Sequence, residues 1–290
     1  MSLLSEKLKK GEFVVTSEVG PPKGTNIEGM LQDAKILSEK VQAINVTDLQ
    51  SSVMRVGSLA ISKILLDNGL EPVYQLTCRD RNRLALQSDL LNAFVFGIQN
   101  VLCLTGDHTC LGDHPETKPV FDLDSISLLQ TVLTLESGKD LAGNDLDGSP
   151  TFFKGAVVAP AAEPVEPQLI KMEKKIAAGA QFFQTQAIYV PKKFEDFMQK
   201  AQCFGAPVLL GVVLLKSSAM AKYMNENVAG VSVPDEIIKE MDVEKKDRKK
   251  KSVEIAVRLI NEMKPMCQGI HFMPLGWESL VPDIINEAGL

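Results

Sequence analysis

No Cys-x-x-Cys, Gly-x-Ser-x-Gly or Gly-x-Gly-x-x-Gly occurs in this sequence. Each absence removes a class of function. The five cysteines, Cys78, Cys103, Cys110, Cys203 and Cys267, are odd in number and unpaired in spacing. They read as reduced, mostly buried thiols, not as a disulfide framework. Without a nucleophile elbow, and with three histidines that show no evident base role, a hydrolase triad has no footing. A first strand with no glycine fingerprint after it argues against a dinucleotide-binding open sheet. The Gly-Asp pairs at 106–107 and 112–113 are the nearest approach to a phosphate loop, and they are weak. No signal-peptide core is present. The longest apolar run, Phe204 to Leu215, is broken by Gly205, Pro207 and Gly211 and falls short of the ~20 residues a membrane helix needs. Positive charge is not in excess either: the net charge of −6 argues against nucleic acid or an anionic membrane as partner. These features predict a cytoplasmic protein.

What the sequence does contain is a repeated alternation. Eight strand-like runs stand at Phe13–Val19, Ala43–Thr47, Pro72–Thr77, Asn100–Thr105, Phe153–Ala159, Phe182–Ile188, Pro207–Val213 and Gly269–Met273. Most are continuously apolar, as parallel strands covered on both faces should be. Segments with a 3.6-residue apolar period separate most of them, at 26–40, 83–96, 125–135, 168–178 and 252–263. Ser58 and Asp124 are candidate helix N-caps, and Gly69, Gly97 and Gly179 candidate C-caps. Eight such units without a composition break predict an α/β fold, a single-domain (β/α)8 TIM barrel over residues 1–290 with an N-terminal helix. Long loops are expected at about 108–122 and 138–150. The charged stretch 240–251 reads as a solvated helix or loop of no evident role.

In a barrel the C-terminal strand ends converge on one mouth, where active sites are built. Those ends carry Glu18, Thr47 with Asp48, Thr77 with Arg79 and Asp80, Asp107, Glu163, Gln184 with Gln186, and Lys216. Glu18 is the sharpest: it ends an apolar strand just before the rigid Gly20-Pro21-Pro22 turn. A partly desolvated carboxylate there is suited to act as a general acid near neutral pH; the structural alternative is a Glu paired with a lysine or arginine. Cys103, Asp107, His108, Cys110 and His114 are close in sequence, but their spacing matches no common zinc pattern, and no metal site is expected.

Five segments, in this order, resemble motifs of the 5,10-methylenetetrahydrofolate reductase family: Thr-Ser-Glu-Val-Gly-Pro-Pro-Lys-Gly (16–24), Asn-Val-Thr-Asp (45–48), Gln-Leu-Thr-Cys-Arg-Asp (75–80), Leu-Thr-Gly-Asp (104–107) and Gly-Ala-Gln-Phe-Phe-Gln-Thr-Gln (179–186). The resemblance runs from Phe13 to about Leu275. It implies a barrel that binds FAD and transfers hydride from reduced flavin to 5,10-methylenetetrahydrofolate, giving 5-methyltetrahydrofolate. It implies further that Glu18 is the general acid, that Asp107 lies near flavin and pterin and favours a cationic iminium, and that Gln186 holds the folate. Thr47 would lie near flavin N5 and Lys175 near N1 and O2. Gln75, Thr77, Leu104, Thr105, Gly106, Asp107, Phe121, Ala159 and Glu163 would contact the cofactor.

The chain departs from the family pattern at several of these places. Gln75 replaces a histidine, Phe121 a tyrosine, and Ala159 and Glu163 a tyrosine and a histidine. Ser218 stands where an aromatic contact for nicotinamide is expected, and Gly276 or Trp277 where an arginine is expected. Cys-Arg-Asp-Arg-Asn (78–82) is closer to short bacterial relatives, found with an acetyl-CoA pathway, that take electrons from a second subunit. The expected partners are therefore a folate and an electron-donating subunit, or further copies of the chain. Two other readings stay open: a flavin-free methyltransferase-type barrel that binds folate, and a non-catalytic barrel that binds a partner.

Overall fold

A computed structural model describes residues 1–290. Its eight parallel strands are β1 Val14–Val19, β2 Ala43–Val46, β3 Pro72–Thr77, β4 Asn100–Leu104, β5 Phe153–Val158, β6 Phe182–Ala187, β7 Val208–Val213 and β8 Gly269–Met273. They pair in sequence order, and β8 pairs back onto β1, so the sheet closes into a (β/α)8 barrel. Each strand lies within one or two residues of the run read from the sequence. The outer helices are α2 Glu28–Ser38, α3 Ser58–Asp67, α4 Arg83–Val95, α5 Ser125–Glu136, α6 Glu166–Ala177, α7 Pro191–Ala201 and α10 Arg248–Met263, with α11 Val281–Glu287 following β8. Two further helices, α8 Ser218–Asn227 and α9 Asp235–Glu240, are inserted between β7 and α10. No helix is long and apolar enough to cross a membrane.

Local chemistry explains several element boundaries. Asp124 caps α5 through the backbone N–H groups of Ile126 and Ser127 and forms a reciprocal capping box with Ser127. Gly69, Gly97 and Gly179 take positive φ just beyond α3, α4 and α6, as expected of C-caps. Ser58 differs from expectation. Gly57 is the N-cap of α3, and the Ser58 hydroxyl instead bonds Asp48 Oδ1 at 3.1 Å and the Gln75 carbonyl at 2.9 Å. A buried polar pair outbids a local cap here because both partners lie on neighbouring strand ends. Of the two expected loops, 138–150 is a surface excursion closed by a Lys139–Asp145 bridge. The other, 108–122, is tied down by an Asp113–Lys23 ion pair, a bidentate Arg83–Asp122 pair at 2.8–2.9 Å and the Val120 N–H on the Arg79 carbonyl. The charged stretch 240–251 divides into the end of α9, a turn and the first turn of α10.

Apolar side chains fill two places. The larger core lies between strands and helices. A smaller one fills the lower barrel interior: Val14, Ala43, Val73, Leu102, Phe153, Phe182 and Leu209 meet Leu4 and Leu8 of α1 (Leu3–Lys9). Helix α1 closes the barrel floor. Glu71 receives the Leu3 and Leu4 N–H groups at 2.6 and 3.0 Å, and Ser2 donates to Asn100 at 2.6 Å. Packing in this floor depends on Gly155. A Cβ there would fall 2.3 Å from Phe182 Cζ and 2.8 Å from Leu102 Cδ1, and Phe182 is stacked on Phe153 at 4.9 Å. Gly155→Ala is therefore expected to fold but to lose about 1–3 kcal/mol through overpacking, read as a lower urea midpoint at unchanged slope.

Candidate active site

Strand alternation decides which side chains enter the barrel. In β1 the inward set is Val14, Thr16 and Glu18; in β6 it is Phe182, Gln184 and Gln186. Apolar residues are lowest and polar ones nearest the mouth. Above the apolar floor a cavity of about 790 Å³ opens at the C-terminal strand ends. This volume lies within the range of small-molecule sites. Its walls include Glu18, Gln75, Thr77, Leu104, Thr105, Gly106, Asp107, Ala159, Lys175 and Gln186. Ten of the thirteen residues that the family resemblance assigns to the site thus share one space.

Glu18 is 6% exposed and has no lysine or arginine partner; its one ion-pair neighbour is His271, with Nε2 3.7 Å from Oε2. On its other side Gln50 Nε2 lies 3.5 Å from Oε1. Beneath Glu18 runs a buried polar layer. Asn45 and Gln184 bond each other reciprocally at 2.8 and 3.1 Å, and Thr16 Oγ1 lies 2.9 Å from His271 Nδ1. Polar groups in a barrel interior are tolerable only when satisfied, and these satisfy one another.

The ends of β2, β3 and β4 are fastened by two buried charges. The Asp48 side chain is fully buried and accepts from the Thr77 N–H and hydroxyl, both at 2.9 Å, and from Arg81 at 2.8 and 3.2 Å. The Thr77 hydroxyl is thereby already engaged. Arg79, 1% exposed, forks onto Asp80 and also donates to the carbonyls of Leu49 at 3.1 Å and Asp107 at 3.3 Å. It therefore sets the backbone from which Gln50 and Asp107 project. Leu49, Ser51 and Ser52 all have positive φ, so this loop holds strain that its contacts maintain. Gly106 has φ +93°, and a Cβ there would lie 3.1 Å from Arg79 Cβ. This close approach accounts for the glycine in Leu-Thr-Gly-Asp.

Gln186 owes its position to an irregularity. Between Gln184 and Ala187 the β6–β7 register slips by a residue, and the Thr185 hydroxyl takes the Gly211 N–H at 2.8 Å. A Cβ on Gly211 would fall 2.2 Å from the Thr185 carbonyl. Such bulges re-aim side chains beside active sites, and Gln184, Thr185 and Gln186 all reach the cavity. Lys175 of α6 reaches it too, donating to the Val157 carbonyl at 2.7 Å without a carboxylate partner. Burial, and then the charge of Lys171, pull its ammonium down to about 8.

Three expected residues lie apart. Thr47 is 2% exposed, does not line the cavity and leaves Oγ1 unpartnered. Phe121, at φ 43°, stacks on His108 in an adjoining cleft that shares Thr105, Gly106 and Asp124 with the main cavity. Glu163 is exposed, paired with Lys193 at 2.7 Å and outside the cavity. His271, Gln50, Lys171 and Tyr223, which also line the cavity, were not singled out from sequence. Only His271 left a trace there, as a lone polar residue inside the apolar run Gly-Ile-His-Phe-Met.

The thiols take no part in the cavity. Cys78, Cys103 and Cys267 are buried, which raises all three, Cys78 to about 12 and Cys267 to about 11. Cys110 and Cys203 are exposed. Nowhere do three or more His, Cys, Asp or Glu side chains gather as metal ligands would.

Residues 3–289 match the family model of methylenetetrahydrofolate reductase. "Methylenetetrahydrofolate reductase 2" of Schizosaccharomyces pombe is 25% identical over 99% of this chain and 47% of its own length. The "5,10-methylenetetrahydrofolate reductase" of Pectobacterium carotovorum subsp. carotovorum is 27% identical over 69% of this chain and 62% of its own. The chain thus spans about half to two thirds of these relatives. Among solved structures, an uncharacterized protein from Clostridium thermocellum that binds two copies of 5-methyl-5,6,7,8-tetrahydrofolic acid superposes with TM-score 0.68, at 17% identity, over 99% of this chain and 98% of that one. An oxaloacetate acetylhydrolase superposes with TM-score 0.55 at 12% identity over 99% and 87%. At such identities these likenesses are of fold alone. The match over nearly all of its length places this chain in the methylenetetrahydrofolate reductase family.

Proposed function

We propose that this chain reduces 5,10-methylenetetrahydrofolate to 5-methyltetrahydrofolate with FAD as its redox group. The observation that carries the reading is Glu18: a buried carboxylate without a basic lysine or arginine partner, in the same cavity as Asp107 and Gln186. That set suits a reaction in which a ring nitrogen must be protonated while cationic character builds on the neighbouring carbon.

The residues fit a flavin. Lys175 reaches the cavity as a buried cation with a carbonyl but no carboxylate to balance its charge. The cleft beside Phe121 continues the cavity into an elongated space suited to a dinucleotide. Bound there, FAD would supply the hydride. Glu18 would give its proton to the folate nitrogen as the imidazolidine ring opens. The Asp107 carboxylate, held through its backbone by Arg79, would favour the iminium cation. Gln186 would hydrogen-bond the pterin, and Lys175 would balance negative charge on the reduced cofactor.

We further propose that electrons arrive from a partner subunit. Supporting this, Ser218 opens α8 with its hydroxyl 3.4 Å from Asp242, and Trp277 at the rim lies against Lys216 and Lys249. The family resemblance places an aromatic where Ser218 stands and an arginine where Gly276 or Trp277 stands.

Three outcomes are expected. Glu18→Gln should retain flavin yet slow folate-dependent oxidation of pre-reduced flavin by about 10²–10⁴-fold, measured by anaerobic stopped flow; unchanged turnover would overturn the reading. Lys175→Met should lower the midpoint potential of bound flavin by on the order of 30 mV, about 1.4 kcal/mol for a two-electron couple, in a potentiometric titration at pH 7. In the wild type this advantage should fade as pH rises through about 8 and Lys175 loses its proton. Anaerobic mixing of the flavin-loaded chain with NADH should leave the flavin oxidised; rapid bleaching would exclude the partner proposal.

A further inference from the structure

We infer that His271 is the proton partner of Glu18, a positioning residue that holds and reloads the proton the carboxylate delivers. The inference rests on the reading of Glu18 as general acid.

Barrel closure creates the pairing. β8 hydrogen-bonds β1 with His271 level with Thr16, one inward position below Glu18. The imidazole, 3% exposed, spans that interval, with Nδ1 at Thr16 and Nε2 toward Glu18. Gln184 Nε2, a donor only, lies 3.3 Å from Nδ1, and its amide is held by the reciprocal pair with Asn45. Two groups face Nδ1, so Nε2 is the ring nitrogen directed at the carboxylate. The Thr16 hydroxyl accommodates Nδ1 in either state. It donates to a bare Nδ1, and it accepts from Nδ1–H while its own proton turns to the Ile270 carbonyl at 3.5 Å. The 3.7 Å gap to Glu18 exceeds a hydrogen bond by about 0.7 Å, a side-chain adjustment of the kind that substrate binding brings about.

The proton accounting is closed. In the loaded pair, imidazolium faces carboxylate. The Nε2–H bond breaks as the Glu18 O–H bond forms, and Glu18 then protonates the folate nitrogen. Carboxylate and an imidazole left with its N–H at Nδ1, against the Thr16 hydroxyl, remain, and one solvent proton taken up at Nε2 restores the pair. The other ionisable groups around the cavity are Asp48 of the β2 end, Arg79 of the β3 end, Asp107 after β4, Asp124 at α5, Lys171 and Lys175 of α6, and Tyr223 of α8. None makes an ion pair with Glu18 or His271: Asp48 is committed to Arg81, Arg79 to Asp80 and Lys175 to a carbonyl.

An imidazole is a stronger base than a carboxylate, so a pair that contains one keeps a proton available over a wider range of pH. The test is the pH profile of folate-dependent oxidation of pre-reduced flavin. Wild type is expected to hold its rate at acid pH and lose it through the neutral range. His271→Gln should move that limb down by about one pH unit or more, leaving the variant roughly tenfold slow at pH 7.5 but near wild type at pH 5.5. A uniform loss at every pH marks a merely structural role and overturns the inference, as does an unmoved limb. Thr16→Val keeps the imidazole and removes the acceptor for its cationic form, so it should move the limb the same way. It decides the matter if His271→Gln does not fold or retain flavin, and an unmoved limb in Thr16→Val then counts against the inference. Glu18→Gln separates the two levels. Full activity in that variant sinks the reading of Glu18 itself; an inactive Glu18→Gln beside a wild-type profile in His271→Gln sinks only the role of His271.

Discussion

Closure of the parallel sheet is the constraint on which everything else depends. A strand at a sheet edge leaves a row of N–H and C=O groups unpaired, and the pairing of β8 with β1 removes the last edge. Closure orients all eight strands alike, so residues ending eight separate runs meet at a single mouth. It also brings the first and last strands together. Glu18 and His271 come from opposite ends of the chain and are neighbours only because the barrel shuts.

A closed barrel has an interior that must be filled, and this one is filled in layers of rising polarity. The floor is apolar and sealed by Leu4 and Leu8 of α1. The middle is the hydrogen-bonded set of Thr16, Asn45, Gln184 and His271. The mouth carries the carboxylates. Removing polar groups from water is costly unless each finds a partner. The middle layer meets that condition internally, whereas the Thr47 hydroxyl and the Lys175 ammonium lack a full set of protein partners. Of the two, the Lys175 ammonium lies where a ligand would sit.

Rigidity at the mouth comes from charges that are not themselves reactive. Asp48 binds the ends of β2 and β3 and Arg81 into one unit, and Arg79 holds two loop carbonyls with a single guanidinium. A buried charge stripped of its partner is strongly destabilising, so such fixtures define one geometry and resist alternatives. The strained run Leu49–Ser52 and the tight turn at Gly106 persist within that frame. The two strand ends that look alike in sequence, Leu76-Thr77 and Leu104-Thr105, have separate tasks. Thr77 serves the Asp48 fixture, whereas Thr105, exposed in the cavity, also receives the Ser125 N–H at the start of α5.

The sequence by itself determined the eight strands, most of the helices between them and the polarity of the strand ends, because burial on both faces writes continuous apolar runs and helical packing writes a 3.6-residue period. It also marked Glu18, Asp107 and Gln186, through strand position and resemblance. Only the tertiary structure decided which polar residues meet. Glu163 stands at a strand end like the others, yet solvent and Lys193 claim it. His271 lies inside an apolar run, yet it faces Glu18. Inward or outward orientation follows from strand parity, register and the β6 bulge, and contact between distant strands follows from closure. These are relations between segments, which no single segment encodes.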